Sequence, residues 1–453
     1  LKKRVKKLLR VLGSVLAIGA APGIARAGSY GVLHQFTGGV DGAAPVAPVI
    51  IGPTGVLYGS ASAGASQACD SPQDIHGCGT IFSLTPPAPA SSAWTFDVLY
   101  RFTDPNDGYA PEAALLLDTA GNLYGTTLSG GANAAQSACG ITGCGTVFRL
   151  SPPATPGGAW TKITLYSFLG ARDGGLPAGR LIFDGGGALI GTAMDGGIAP
   201  ADKGYGVVFR LAPPTQPGGP WTERPLHRFT GGSGGATPRS ALLAGPGGTY
   251  FTTTFLGGTD LFDCNGGCGA VLQLTPPASG QTSWGANLIH GFSGPVDGGN
   301  PAGDLAADPA GNLYGATSFG GGASFNGGTV FTLRPPQGGG TWTLNVLHAF
   351  GIIPKDADTP GGIILGKSHH LFGAALDLFG AALGGGKVDN GTVFAVSATG
   401  ATPAETVLHR FTNTMPGTVP NGTLLQLPSG EIVGTSFGTG GSNDPGLIYR
   451  LRP

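Results

Sequence analysis

Five polar residues, Glu112, Arg180, Arg239, Asp304 and Asn421, interrupt stretches that are otherwise small: Ala113, Gly179, Ser240, Gly303, Gly362 and Gly422 occupy the same neighbourhood after a proline. Their types suit chemistry. A guanidinium grips a planar anion through two parallel N–H bonds, a carboxyl group exchanges a proton, and an amide both donates and accepts. Hydrolysis asks for more, either a nucleophile beside a positioned base or two carboxylates at a defined separation. Glutamates are few, namely Glu112, Glu223, Glu405 and Glu431. Glu112 and Asp304 form a carboxylate pair only if both face a shared cavity.

What positions these residues is a repeat. The segment G-T-V-F-R-L recurs from Gly79, Gly145, Gly206, Gly269, Gly328 and Gly391 and, loosely, from Gly446. A second segment, V-L-Y-R-F, ends at Phe36, Phe102, Phe168, Phe229, Phe292, Phe350 and Phe411. Between the two lie an apolar run closing on a turn, as in Leu115 to Asp118, and N-L-Y-G-T-T, as in Asn122 to Thr127. Each period therefore holds four short strands, β-branched or aromatic and bounded by Gly, Pro, Asn or Asp. Seven such units predict an all-β, seven-bladed β-propeller with four antiparallel strands per blade. The phase predicts closure. A lone strand at Tyr30 to Phe36 opens the chain and three strands end it at Leu451, so the first should complete the seventh blade and cover an exposed edge.

With L-x-L-D-x-x-G-N-L-Y-G-T-T, G-T-V-F-K-L and V-L-Y-S-F-T-G-x-x-D-G-x-x-P-like segments recurring in order from Ser29 to Leu451, the sequence resembles the GloVer-type tandem-repeat proteins of bacteria. The resemblance implies an extracellular repeat protein and brings no assigned activity.

Lys2, Lys3, Arg4, Lys6 and Lys7 precede an apolar run near Val11 to Ala21, and Ala25-Arg26-Ala27 has the form of a cleavage site. Residues 1–27 read as a secretory signal peptide, leaving one propeller over 28–453. A net charge of −1 offers no footprint for nucleic acid or an anionic membrane. The expectation is an exported monomer, periplasmic or secreted. Cysteines agree. Cys69 with Cys78, Cys139 with Cys144 and Cys264 with Cys268 each share a loop between second and third strands, so local disulfides are expected over zinc, which finds no histidine at finger-like spacing.

Recurrent aromatics read as packing. Trp94, Trp160, Trp221, Trp284 and Trp342 open the strand leading to V-L-Y-R-F, and His34, His227, His290, His348 and His409 share one slot with Tyr100 and Tyr166. His76, His369 and His370 stand outside it. Gly361 to Ser368 fits the phosphate-loop pattern G-x-x-x-x-G-K-S, but the register puts it on a strand and hairpin turn with no helix to present amides. Asp41, Asp107, Asp173 and Asp297, with Asp356 or Asp358 in the sixth unit, suggest a carboxylate ring for calcium. Asp before Gly is also ordinary turn chemistry, and that reading is preferred because each Asp belongs to a different blade. No other cofactor is expected.

Three functional readings follow. The first is a binding or scaffold protein for an extracellular glycan or protein, using the channel mouth where Glu112, Arg180, Arg239, Asp304 and Asn421 gather. The second is a lyase or hydrolase at that mouth. The third is a purely structural surface protein.

Overall fold

The computed structural model describes residues 29–452 apart from 71–76, 90, 133–138, 140–141, 198–203, 260–263, 265, 282, 323–326, 351–358, 367–369, 376–390, 398–404, 412–418 and 439–444, and apart from the side chains of 370, 373–375, 421 and 422. The leader expected at 1–27 therefore lies outside the described residues, as do His76, His369, Asp356 and Asp358.

Alternating short strands and Gly-rich turns fold into seven sheets of four antiparallel strands, blades 1 to 6 spanning 50–101, 116–167, 182–228, 243–291, 299–349 and 360–410. Blade 7 joins three strands from 420–452 to Ser29–Gln35, which pairs antiparallel with Leu447–Arg452 (Tyr30 opposite Leu451, Gln35 opposite Leu447). The ring closes as the repeat phase requires. In blade 2 the strands are Leu116–Leu117, Leu123–Thr127, Thr146–Ser151 and Thr161–Ser167. The first lines the channel, the fourth is outermost, and loops joining strands 2 to 3 and blade to blade share one face.

An edge-on aromatic contact joins neighbouring blades. The phenylalanine ending V-L-Y-R-F in one blade meets the third-strand aromatic of the next: Phe36 with Phe82 (5.5 Å between centroids), Phe102 with Phe148 (5.6 Å), Phe168 with Phe209 (5.0 Å), Phe292 with Phe331 (5.1 Å), Phe350 with Phe394 (4.9 Å) and Phe411 with Tyr449 (5.2 Å). Both rings are fully buried at each of these seams.

The glycine of N-L-Y-G-T-T exists for this ring. A Cβ on Gly125 would lie 2.6 Å from Phe148 Cζ and 2.9 Å from Leu115, and Gly59, Gly191, Gly315 and Gly434 face their third-strand rings at 2.3–2.6 Å. Blade 4 supplies the internal control. There Thr252 replaces the glycine and its cross-strand partner is Leu272 rather than Phe, so a larger residue and a smaller one exchange volume.

A second seam lies at the loop face. Ala44, Ala110, Leu176, Thr237, Asn300, Thr359 and Val419, each preceding a proline, all have left-handed φ of 50–63°. Such a φ is uncommon for a side-chain-bearing residue and is disfavoured further before proline. Cross-blade bonds hold it. Ala110 N donates to Cys78 O (3.2 Å), Leu176 N to Cys144 O (2.9 Å) and Asn300 N to Cys268 O (2.7 Å), each reaching the preceding blade. Those acceptors belong to the three disulfides, Cys69–Cys78, Cys139–Cys144 and Cys264–Cys268, paired locally as expected. The bridges sit at the carbonyl onto which the next blade docks, although Thr237 N to Tyr205 O (2.9 Å) and Thr359 N to Gly327 O (2.9 Å) make the same bond without one.

The tryptophans pack at blade edges. Trp160 meets Tyr58 of the preceding blade (6.3 Å), Trp342 meets Phe251 (5.7 Å) and Trp284 stacks on Tyr250 of its own blade (5.6 Å). At the phosphate-loop-like sequence, strand Pro360–Leu365 is followed by strand His370–Ala375, with Lys367 and Ser368 outside the described residues. Among the described residues no helix presents amide groups there.

The glycine–ring packing has a measurable consequence. Gly125→Ala should lower stability by about 1–3 kcal/mol through overpacking, whereas Gly125→Ala with Phe148→Leu, which copies blade 4, should cost less than the two single changes added together. Melting of the four proteins in a double-mutant cycle tests this. A strictly additive result would show that Gly125 is not there for the ring.

Candidate functional site

Each first strand enters from the loop face after its proline, so its side chains alternate between the channel and the neighbouring blade. The second residue past the proline faces the neighbour. Ser60 Oγ donates to Ala113 O (3.4 Å), Thr192 Oγ1 to Ser240 O (2.9 Å) and Thr435 Oγ1 to Ala47 O (3.3 Å), each across a blade boundary. A Cβ on Gly179 would sit 2.6 Å from Ser240 O, and one on Gly303 2.6 Å from Gly362 Cα. Small residues are obligatory there. The first and third positions past the proline carry Glu112 and Arg239, and Arg180 and Asp304, respectively.

Structure brings these four into two levels. Deeper in the channel, Arg180 of blade 3 approaches Asp304 of blade 5 (Nε to Oδ2 3.7 Å), while Asp304 Oδ1 accepts from Ala241 N of the intervening blade 4 (2.7 Å). One carboxylate therefore ties three blades. Nearer the mouth, the Arg239 guanidinium lies over the Phe255 ring, 4.4 Å from its centroid, a cation–π arrangement. Desolvation pushes the Glu112 carboxyl up to about 6, and the charge of Arg239 opposes the shift. Desolvation lowers the Arg239 pKa, against the charges of Glu112 and Asp195. Among the described residues no carboxylate stands within ion-pair distance of Arg239. Asn421 lies on strand Pro420–Gln426 opposite Thr435, with its side chain outside the described residues.

The aspartates of D-G-x-x-P cap their own turns. Asp41 accepts from Thr37 N (2.9 Å), Asp173 from Leu169 N (2.9 Å) and Asp297 from Ser293 N (2.8 Å). Each also binds the recurrent His or Tyr seven residues earlier: Tyr100 OH to Asp107 (2.6 Å), Tyr166 OH to Asp173 (3.0 Å) and His290 Nε2 with Asp297 (2.7 Å). That His or Tyr ring stands edge-on to the phenylalanine two residues on, at 4.7–5.2 Å in all seven units. The slot is structural. Among the described residues no group of three or more His, Cys, Asp or Glu is placed to hold a metal ion.

A further set of ionisable groups was not foreseen. Four residues before each His/Tyr slot stand Tyr30, Phe96, Lys162, Glu223, Ala286, Leu344 and Glu405, and this position meets the preceding blade. Phe96 stacks on His34 (3.6 Å) and Tyr30 on His409 (4.2 Å). Lys162 is nearly buried, bonds Asp107 O (2.5 Å) and pairs with the Asp107 carboxylate. Glu223 takes the same place opposite Asp173. Burial first, then the Asp173 charge, pushes its carboxyl up to about 8, with Arg228 acting in the opposite sense. One of its buried oxygens lacks a hydrogen-bond partner among the described residues. Aligning the units four residues ahead of the histidine slot would have exposed this position. Phe255 and Asp195 carry no comparable signal, because their importance depends on the reach of Arg239.

A closed ring of seven four-stranded blades with a charged channel mouth is a β-propeller. The profile of the Gloeobacter/Verrucomicrobia repeat matches residues 21–260, 134–377 and 262–453, and the chain belongs to that family. No curated protein matches it in sequence. Among solved structures it is similar to a fungal alcohol oxidase of the AA5 family in complex with copper, with 13% identity and a TM-score of 0.54, covering 94% of this chain and 76% of that one. It is also similar to a protein from Bacteroides uniformis described as a candidate 6-phosphogluconolactonase, with 14% identity and a TM-score of 0.46, covering 82% of this chain and 87% of that one. At these identities the likeness is one of fold. The disulfides accord with an oxidising compartment, and no helix among the described residues is long and apolar enough to cross a membrane.

Glu223 makes the seam between blades 2 and 3 sensitive to pH. Its folded pKa of about 8 stands above the ordinary 4.5, so its contribution to stability is full below the lower value and is lost as pH rises through the higher one. Glu223→Gln should flatten the fall in melting temperature between about pH 5 and pH 8. Glu223→Lys, copying Lys162, should raise the melting temperature at pH 8. Parallel wild-type and Gln curves across that range would refute the assignment.

Proposed function

We propose that this chain is an exported binding propeller that takes a saccharide at the loop-bearing mouth of its channel. The observation carrying this reading is the Arg180–Asp304 link, which spans three blades at a position where the other units carry the uncharged Pro48, Ala114, Ala241, Ile363 and Thr423, with Arg239 and Phe255 above it. Convergent polar groups and an aromatic in a concavity suit a ligand rich in hydroxyls. Exposed apolar side chains on the same face add contact area: Val40 is 66% and Val296 78% exposed, with Leu169 and Tyr205 also open. Export is supported by the paired cysteines and the leader-like sequence at 1–27.

A lyase or hydrolase is the second reading, favoured by one feature. A Glu112 carboxyl at about 6 is poised to hold or release a proton near neutrality. Binding and catalysis separate on the product.

Thermal shifts of the mature chain with a panel of neutral and acidic oligosaccharides test the reading. A ligand at 100 times its dissociation constant adds roughly 2.7 kcal/mol to stability, and that gain should vanish in Arg180→Ala/Arg239→Ala. New reducing ends or unsaturated products after incubation would move the assignment to the enzyme. A panel that shifts nothing would defeat the saccharide reading and favour a structural role or a protein partner.

A further inference from the structure

We infer that the saccharide held at this mouth carries a carboxylate, as a uronic acid does, and that Arg239 is the residue that grips it, with Glu112 beside it. The inference rests on the saccharide-binding reading above and adds the ligand's charge and the residue that reads it.

The argument is one of charge complementarity. Of the two guanidiniums at the mouth, Arg180 has Asp304 at 3.7 Å. Among the described residues Arg239 has no such partner. Its guanidinium is laid on the Phe255 ring, and the carboxyl groups that act on it, Glu112 and Asp195, do so from beyond ion-pair distance. The contact holds the guanidinium carbon 4.4 Å from the ring centroid and leaves its N–H edge with no carboxylate at ion-pair distance among the described residues. A carboxylate meets that edge with two parallel bonds, which a neutral hydroxyl cannot do. Phe255 thus plays a positioning part, and Arg239 the binding part.

The surrounding charges limit what else fits. Glu112, Asp195 and Asp304 carry negative charge around the same mouth, balanced by Arg180 and Arg239. A dianion such as a phosphate ester would meet three carboxyl groups with one uncommitted cation. A single planar carboxylate is the smallest charge that completes Arg239. Glu112 then becomes a pH-dependent neighbour. When protonated it donates a hydrogen bond to the incoming ligand, and when ionised it repels a carboxylate and competes for Arg239. The charged groups bearing on Glu112 and Arg239 are each other and, for Arg239, Asp195, so affinity should fall as pH rises through the range where Glu112 ionises.

The test uses the mature full-length chain and three probes of matched length: an oligogalacturonate, a neutral galacto-oligosaccharide and a sulfated galacto-oligosaccharide, each titrated calorimetrically at pH 5 and pH 7.5. The expected result is that the oligogalacturonate binds about tenfold or more tightly than the neutral probe and several-fold more tightly at pH 5 than at pH 7.5. Arg239→Ala should erase the preference while leaving residual binding of the neutral probe, and Arg239→Lys should recover only part of it, because an ammonium lacks the fork. Glu112→Gln should keep uronate binding and remove its pH dependence. Circular dichroism and melting of each variant separate lost binding from lost folding. Equal affinity for neutral and uronic probes, an undiminished preference in folded Arg239→Ala, or a sulfated probe that binds as well as the uronic one would each overturn this inference while sparing the mouth as a saccharide site. Failure of every saccharide to bind would overturn both.

Discussion

Everything in this molecule depends on one contact, the edge-on meeting of two buried aromatic rings at the boundary between blades. A single blade exposes two apolar faces and cannot fold alone, so the chain is stable only when each face meets the next. Six of the seven seams place a V-L-Y-R-F phenylalanine against a third-strand aromatic, each such pair contributing about 0.5–1.5 kcal/mol beyond the area it buries. The remaining seam brings Phe229 against Leu272 in a purely aliphatic–aromatic cluster. Because the ring lies across the second strand, the residue beneath it has no room for a side chain. Thr252 and Leu272 show that the constraint is one of volume rather than identity.

The same contact organises the outer rim. The His or Tyr two residues before each seam phenylalanine stands edge-on to it, and in four units an aspartate seven residues further on, such as Asp107 or Asp297, ties that ring to the turn that leads into the next blade. The following blade then lays a residue onto this assembly. Phe96 stacks, Lys162 pairs with a carboxylate, and Glu223 faces one. Identical backbone geometry thus gives seams of different electrostatic character. Buried like charges cost stability unless one is protonated, which explains why the Glu223 carboxyl retains its proton so far above the ordinary range.

Much of the architecture was legible because a repeat reports itself many times. Blade count, strand order, the pairing of the first strand with the last, local disulfides and turn-capping aspartates all follow from phase, periodicity and turn chemistry. Gly361 to Ser368 was dismissible for the same reason, since its register already assigned it to a strand. The candidate site was legible only as a set of exceptions. Arg180 and Asp304 stand in blades two apart, so their meeting depends on the width of the channel, which no local spacing encodes. Phe255 was invisible on the same grounds. Glu223 was missed because its partner Asp173 belongs to the preceding unit, and only a comparison of one unit with its neighbour reveals that the two meet.

Alternation along the first strand explains why variation gathers where it does. The second residue past each proline is pressed against the adjacent blade, where Thr192 and Ser60 bond its carbonyl and where a side chain on Gly179 or Gly303 would collide. Substitution there opens the ring. The residues on either side point toward the channel rather than into the seam, meeting one another, the Phe255 ring and the Ala241 N–H, so charge can be placed on them without loss of core packing. Seven blades with two such positions each offer fourteen sites around one mouth. Arg180, Arg239, Glu112 and Asp304 occupy four of them, all in consecutive blades 2 to 5. Structural sites repeat around a ring because every seam has the same requirement, whereas these four are one-sided. One-sidedness is what recognition of an asymmetric ligand requires, since a ring of identical groups would hold it in no single orientation.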